Sequence, residues 1–322
     1  MRSRRPIGSI PSSCAAPPRS GFPRSAWWRT TCALFARPDR PVGWRVAIIS
    51  QNPLALAPLV DGIRATGHEP AGLLFVSGPQ GRPASSEFNE FTQRLIVEAP
   101  PELDIVVPAV RPRMAPLLAV LEPDRALCAF FPWKVPPAAL AVPPLGIVNC
   151  HYGRLPHDRG PLGSAWAVRR SESELGITWH WMDEDFDTGP ILAQATFPIE
   201  DDDDRSAIRD RSFPVMAGML PRVFERIASG DPGDPQGEGS YNPLFDEEFA
   251  WIDASRPARE VHNQVRAWWF GLGTGTRGPI IELDGDRVRV LRTSLVECEG
   301  RRVDCGDGPI WILETEPFED AG

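Results

Sequence analysis

Residues 44–76 read WRVAIISQNPLALAPLVDGIRATGHEPAGLLFV. The run at 45–50 is short, apolar and bounded by polar residues, the pattern of a strand buried on both faces. Residues 53–66 then carry Leu54, Leu56, Leu59, Val60 and Ile63 at helical spacing, and Gly67 stops the helix. Residues 71–76 form a second apolar run. Working outward, the alternation continues: a helix over 88–99, a strand over 103–107, a helix over 114–121, a strand over 126–131, a short turn at 137–141 and a strand over 145–149. Short apolar strands alternating with helices predict an α/β fold, a Rossmann-like parallel sheet with helices on both faces. In such sheets the site lies outside the carboxyl ends of the strands, and Asn149 is the last residue of one.

The rest of the chain changes character. A helix is expected over 163–170, strands over 176–182 and 190–197, and one long helix over 205–228. The acidic run at 200–204 precedes that helix, where the helix dipole favours negative charge; this explains it more simply than a metal site does. Residues 230–240, GDPGDPQGEGS, form a Gly/Pro/acid linker. Ser255 as a cap, with Pro257 in the first turn, should open a further helix. Short strands over 279–283, 287–295, 302–305 and 309–314, separated by Gly/Asp turns, predict a small β-barrel-like (OB-type) domain. The expected plan is a disordered basic leader (1–42), a catalytic domain (44–229), the linker (230–240) and a carboxyl-terminal domain (241–322).

Composition narrows the function classes. The chain has 322 residues, 42% hydrophobic and 24% charged, which suits a packed core. No stretch reaches the roughly 20 apolar residues of a membrane span. Six cysteines, none in a CxxC pair, predict a reducing, cytoplasmic setting rather than a disulfide or zinc scaffold. The leader holds eight arginines against one acid, so the remainder carries 26 basic and 42 acidic residues, a net −16. The leader's alternative reading is a transit peptide. A body of that charge disfavours RNA, which would have to meet a local basic patch. Lys134 is the only lysine. Neither GxSxG nor GxxxxGK[ST] occurs, which weighs against hydrolase and nucleoside-triphosphatase readings.

The chemistry-bearing segment begins at Asn149: NCHYGRLPHDRGPLGSAW, followed by GITWHWMDEDFDTGPI from Gly176. Period two places Asn149 and His151 on one face, with Cys150 opposite. An amide beside an imidazole suits polarising a carbonyl oxygen and managing a proton. Asp187 is the candidate carboxylate to orient His151. His157 and His180 read as loop and strand residues, Cys298 and Cys305 as reduced thiols flanking a hairpin. Trp268, Trp269 and Phe270 read as core or as an anchor between domains.

Asn149, His151 and Asp187, with Leu155, Pro156, Arg159, Gly160, Trp166, Gly176, Thr178, Met182, Asp183, Thr188 and Gly189, form a pattern that resembles the 10-formyltetrahydrofolate-dependent formyltransferase family. The likeness is greatest to the branch that formylates methionyl-tRNA. It runs from about residue 44 to 205 and, more weakly, through Ala258, His262, Asn263, Arg266 and Ala267. It implies an Asn149–His151–Asp187 catalytic set: Asn149 stabilising the developing oxyanion, His151 paired with Asp187 and moving a proton. It implies that the folate rests against Phe131, Trp133, Lys134 and Val135, against Gly153, Arg154, Leu155 and Pro156, and against Asp183. The implied partners are 10-formyltetrahydrofolate as donor and an amine acceptor, with no membrane. The acceptor is methionyl-tRNA by overall likeness. The alternatives are a small amine (an amino-sugar nucleotide or a hydroxyornithine-like siderophore precursor) and hydrolysis of the donor. The sequence departs from the family pattern at Gly153 (serine there), Arg154 (apolar), Asp158 (aromatic or histidine) and Gly163 (proline), and in the loop 50–55.

Overall fold

The computed structural model describes residues 43–78, 84, 86–270 and 278–318. The expected leader, 1–42, lies outside the described residues, as do positions 79–83 and 85 of the expected loop at 77–86. The first elements are β1 (Arg45–Ser50), α1 (Pro53–Ala65), β2 (Glu69–Leu74), α2 (Ser86–Glu98), β3 (Ile105–Val106), α3 (Met114–Val120), β4 (Arg125–Ala129), α4 (Pro137–Leu140) and β5 (Ile147–His151). Helix α1 starts where the sequence places it: the Asn52 side chain accepts from the Leu54 N–H at 3.0 Å, and Pro53 occupies the first turn. The chain continues through α5 (Gly163–Arg169), β6 (Glu174–Trp181), β7 (Ile191–Pro198), α6 (Arg205–Gly218) and α7 (Leu220–Ala228).

The strands order as β3-β2-β1-β4-β5-β6-β7. Pairs from β3 to β5 are parallel; β5–β6 and β6–β7 are antiparallel, so the sheet is mixed rather than wholly parallel. The order reverses between β1 and β4, and the loops after β4 and β5 leave beside that switch point. Val148 and Cys150 of β5 and Ile177 and Trp179 of β6 enter the cluster on one face. Ala126, Cys128 and Ile147 enter the cluster on the other. Asn149 and His151 share this second face, as period two requires.

The expected long helix is two helices. Pro221 has no N–H for the preceding turn, and the chain breaks at Met219. The acidic run divides its work: Asp204 caps α6 by accepting from the Ala207 N–H at 2.8 Å, and Asp203 accepts from the Glu200 N–H and pairs with Arg211. Asp201 reaches the last helix, α8 (Ala258–Phe270), through Arg259 at 2.7 and 3.0 Å. The start of α8 differs from expectation. Ser255 bonds Asp253, and the amino-terminal Ala258 N–H is met by Asp307 at 2.7 Å.

Strands β8 (Ile280–Leu283), β9 (Asp286–Ser294), β10 (Arg301–Cys305) and β11 (Gly308–Pro317) form an antiparallel sheet ordered β10-β11-β9-β8. Helix α8 packs on it through Val261 and Val265 against Val290, Ile310 and Ile312. Trp268 is buried, stacks on Phe249 and donates to the Phe249 carbonyl at 3.0 Å; its cluster is continuous with that beneath the large sheet. Buried His262 accepts from Thr293 and donates to the Asp201 carbonyl. Burial pushes its pKa down to about 4, so it serves as a neutral link. Among the described residues no helix is long and apolar enough to cross a membrane.

Candidate active site

His151 ends β5 and Asn149, expected as the last strand residue, stands two positions before it; the loop joining β6 to β7 folds back to bring Asp187 against both. The Asn149 Nδ2 lies 3.4 Å from Asp187 Oδ1, and His151 Nδ1 lies 3.6 Å from Asp187 Oδ2. Asp187 sits at a left-handed φ of 56°, a conformation that Asp tolerates better than most residues. Its Oδ2 accepts the Gly160 N–H at 2.8 Å. Two residues on, Gly189 lies against the Trp181 carbonyl with no space for a Cβ. The structure therefore brings together all three residues of the expected catalytic set.

A fourth member was not expected to take part. His180 is the direct cross-strand partner of Asn149 in the antiparallel β5–β6 pair, so their side chains emerge on the same face. Its Nδ1 donates to the Trp181 carbonyl at 2.8 Å. Its Nε2 faces Asn149 Nδ2 at 3.2 Å and Asp187 Oδ1 at 3.4 Å. A neutral His180 accepts from the amide; a protonated one donates to the carboxylate. His180 is the strand residue that the sequence reading expected, and its ring also faces Asn149 and Asp187. The sequence held no signal for it beyond the β5–β6 register.

Electrostatics follow from this packing. Burial by itself would raise the Asp187 pKa. The charge of His151, the hydrogen bond and charge of His180, and the Gly160 N–H outweigh it and bring the value down to about 2. Asp187 is thus a fixed anion at neutral pH. Cys128, on the strand beside Asn149, is its opposite: burial first, and the Asp187 charge second, hold it as a thiol.

His151 is 8% exposed and seated between two glycines. A Cβ on Gly153 would stand 2.5 Å from its Nε2, and one on Gly163 3.0 Å away. That nitrogen instead meets the Asp158 carbonyl at 2.5 Å. The Asp158 carboxylate accepts from the Arg154 N–H at 3.1 Å, Arg170 at 2.6 Å and Asn242 at 3.0 Å. Three of the departures from the family pattern, at 153, 158 and 163, meet at this histidine, while Arg154 reaches Asp158 only through its backbone N–H.

The expected folate contacts fall into two groups. Phe131, Trp133, Lys134 and Val135 follow β4, with Trp133 and Val135 buried in the cluster that Met182 joins. The Trp133 indole N–H is buried and, among the described residues, has no hydrogen-bond partner. Lys134 Nζ stands 5.2 Å over the ring of Phe186, an exposed aromatic in the Asp183–Asp187 loop, so the two walls face each other. Asp183 is exposed and organises that loop, accepting from Thr188 at 2.8 Å. These features fit a planar, hydrogen-bonding ligand. In the second group, Leu155 is buried and its carbonyl accepts from Gln194, while the Gly153 carbonyl accepts from Thr178. Pro156 is half-buried beside Gly239. The Arg154 side chain instead faces Glu174 at 3.5 Å and lines a cavity of about 480 Å³ with Trp166, Arg170 and Asn242. Among the described residues no cluster of His, Cys, Asp and Glu could hold a metal ion.

An amide, an ionised carboxylate and two imidazoles thus meet around one point, beside the walls formed by the Phe131–Val135 segment and the Asp183–Asp187 loop. A family model described as "Formyl transferase" matches residues 44–224, and the chain belongs to that family. The methionyl-tRNA formyltransferase of Pelobacter propionicus is 35% identical over 207 residues, 61% of this chain and 65% of that protein. The chain thus spans just under two thirds of that relative's length. HypX from Aquifex aeolicus, solved in complex with tetrahydrofolic acid, superposes with a TM-score of 0.61 at 19% identity, over 86% of this chain and 44% of HypX. WlaRD, a sugar 3N-formyltransferase solved in the presence of dTDP and 5-N-formyl-THF, gives 0.55 at 17% identity, over 86% and 99%. The two structures share the fold.

Proposed function

We propose that this protein transfers the formyl group of 10-formyltetrahydrofolate to a primary amine. The observation that carries the reading is the meeting of Asn149, His151 and Asp187 at one point, with the carboxylate held ionised. Asn149 supplies N–H donors where negative charge develops on the formyl oxygen. The Asp187 anion faces both imidazoles and stabilises a proton taken from the attacking amine. The donor rests between the Phe131–Val135 segment and the Asp183–Asp187 loop, where the free Trp133 N–H and the Lys134–Phe186 pair support its binding. Its place in the cell is the cytoplasm, in keeping with the free thiols of Cys128, Cys150, Cys298 and Cys305.

The acceptor we infer is methionyl-tRNA, supported by the likeness to the Pelobacter enzyme. The −16 charge of residues 43–322 favours a second reading, an amino-sugar nucleotide, and WlaRD shares the fold. The test is to offer formyl-labelled donor with methionyl-tRNA, with an amino-sugar nucleotide, with hydroxyornithine and with no acceptor. Label on methionyl-tRNA, with a rate that falls steeply as salt rises, is the expected result. Label on a small amine with a flat salt response selects the second reading, and label released only as formate overturns the transferase assignment.

A further inference from the structure

Gln236 lies in the middle of the Gly/Pro/acid linker, where the sequence marks only a boundary. In the structure its carboxamide is fully engaged. The Nε2 donates to the Asp187 carbonyl at 2.9 Å and to the Gly189 carbonyl at 2.7 Å. The Oε1 accepts from Arg159 Nε at 3.1 Å and from its Nη2 at 3.0 Å. One side chain thus spans the turn that presents Asp187 and the arginine next to Gly160, whose own N–H holds the Asp187 carboxylate. The linker backbone reinforces this clasp: Arg159 N–H meets the Ser240 carbonyl at 3.1 Å, and Asn242 N–H meets the Arg159 carbonyl at 2.7 Å.

We propose that Gln236 is a positioning residue for Asp187, and that the linker thereby sets the catalytic carboxylate. Three observations carry this. Asp187 adopts a left-handed backbone that its neighbours must maintain, and Gln236 satisfies its carbonyl and that of Gly189 together. Both donors and both acceptor directions of the amide are used, so its orientation is fixed in the sense that puts N–H toward the turn. The bonds join segments about 50 residues apart (Gln236 to Asp187) and 77 apart (Gln236 to Arg159), so they lock tertiary structure rather than a local turn. A consequence is that the carboxyl-terminal segment, which continues from this linker, is mechanically joined to the reaction centre.

The inference rests on the proposed formyl transfer for its kinetic arm and is independent of it for its structural arm. In Gln236→Ala, kcat should fall about tenfold, on the order of two lost hydrogen bonds. KM for the donor and direct binding of tetrahydrofolate should stay within about twofold, as should the fraction folded. Gln236→Glu keeps the Arg159 contact but sets a carboxylate against two carbonyls. Its rate should be no better than that of the alanine variant at neutral pH, and should gain on it as pH falls and the new carboxyl protonates. Independently of turnover, hydrogen exchange at residues 183–189 and at the Gly160 amide should quicken in Gln236→Ala of the full chain. Unchanged exchange there overturns the proposal even if no formyl transfer is found. So does a glutamate variant with wild-type kcat at neutral pH, or a kcat loss matched by equal loss of tetrahydrofolate binding and of folded protein.

Discussion

Replacing Asp187 with Asn keeps the shape of the side chain and removes its charge, so the cost measures what the charge does. The carboxyl's pKa is lowered from 3.8 to about 2 in the folded chain. That difference corresponds to about 2 kcal/mol favouring the charged form in the native state. Its folded pKa lies below its unfolded one. The stabilisation is therefore complete above about pH 4 and is lost as pH falls toward 2. The amide introduced by Asp187→Asn would also turn an N–H at either the Gly160 N–H or the Asn149 and His180 nitrogens, where the carboxylate accepts without conflict. Urea denaturation of both proteins at pH 5 and 3 tests the reasoning. The variant should be on the order of 2 kcal/mol less stable at pH 5, with roughly 5 °C off its Tm, and the gap should narrow at pH 3. Turnover should drop by at least about 100-fold, the scale of a lost proton-transfer partner. Equal stability at pH 5, or a gap that widens from pH 5 to pH 3, refutes the assignment of Asp187 as an ion held by its two histidines.

Asn149→Ala and His151→Ala should each lower kcat by about 100-fold while the folded state persists, on the scale of one oxyanion donor. Circular dichroism with single-turnover rates checks both, and near-normal rates in the pair remove them from the mechanism. Gly153→Ser restores the hydroxyl of the family pattern but forces a Cβ to 2.5 Å from His151 Nε2. The ring must leave the Asp158 carbonyl, and we expect kcat to fall about tenfold with a lower Tm, since a hydrogen bond to a buried group is lost. A serine variant with full activity and stability shows that His151 does not depend on its present seat.

Much of this was legible in the sequence, for a physical reason. Strands β1, β2, β4 and β5 are buried on both faces, so apolar side chains occupy consecutive positions and the runs stand out. Asn149 and His151 end such a run, and strand geometry alone puts them on one face. The break in the expected helix at 205–228 was written in Pro221, but Pro214 sits inside α6 without ending it, so a proline by itself does not decide. Ser255 looked like a cap because capping is usually local. Here Asp307, from the hairpin of another strand pair, does the work. His180 and Gln236 were illegible for the same reason. What brings each to the site is a contact between segments 31 to 77 residues apart, and no periodicity or motif within a segment encodes such a contact.

The departures from the family pattern make a sharper case. Read one at a time, Gly153, Arg154, Asp158 and Gly163 are a lost hydroxyl, a gained charge, a lost aromatic and a lost proline. In the structure Gly153, Asp158 and Gly163 are one alteration around His151, while the Arg154 side chain turns to Glu174. The two glycines vacate the space that His151 Nε2 turns toward, the Asp158 carbonyl receives that nitrogen, and the Asp158 carboxylate is held by the Arg154 backbone N–H and by Arg170. Undoing any single member leaves the others mismatched: a serine at 153 collides with a ring that the Asp158 carbonyl still holds. Energies at such contacting positions do not add. Gly153→Ser combined with Asp158→His should therefore cost less than the sum of the two single changes. Strict additivity would show that positions 153 and 158 vary independently and that their meeting at His151 is incidental.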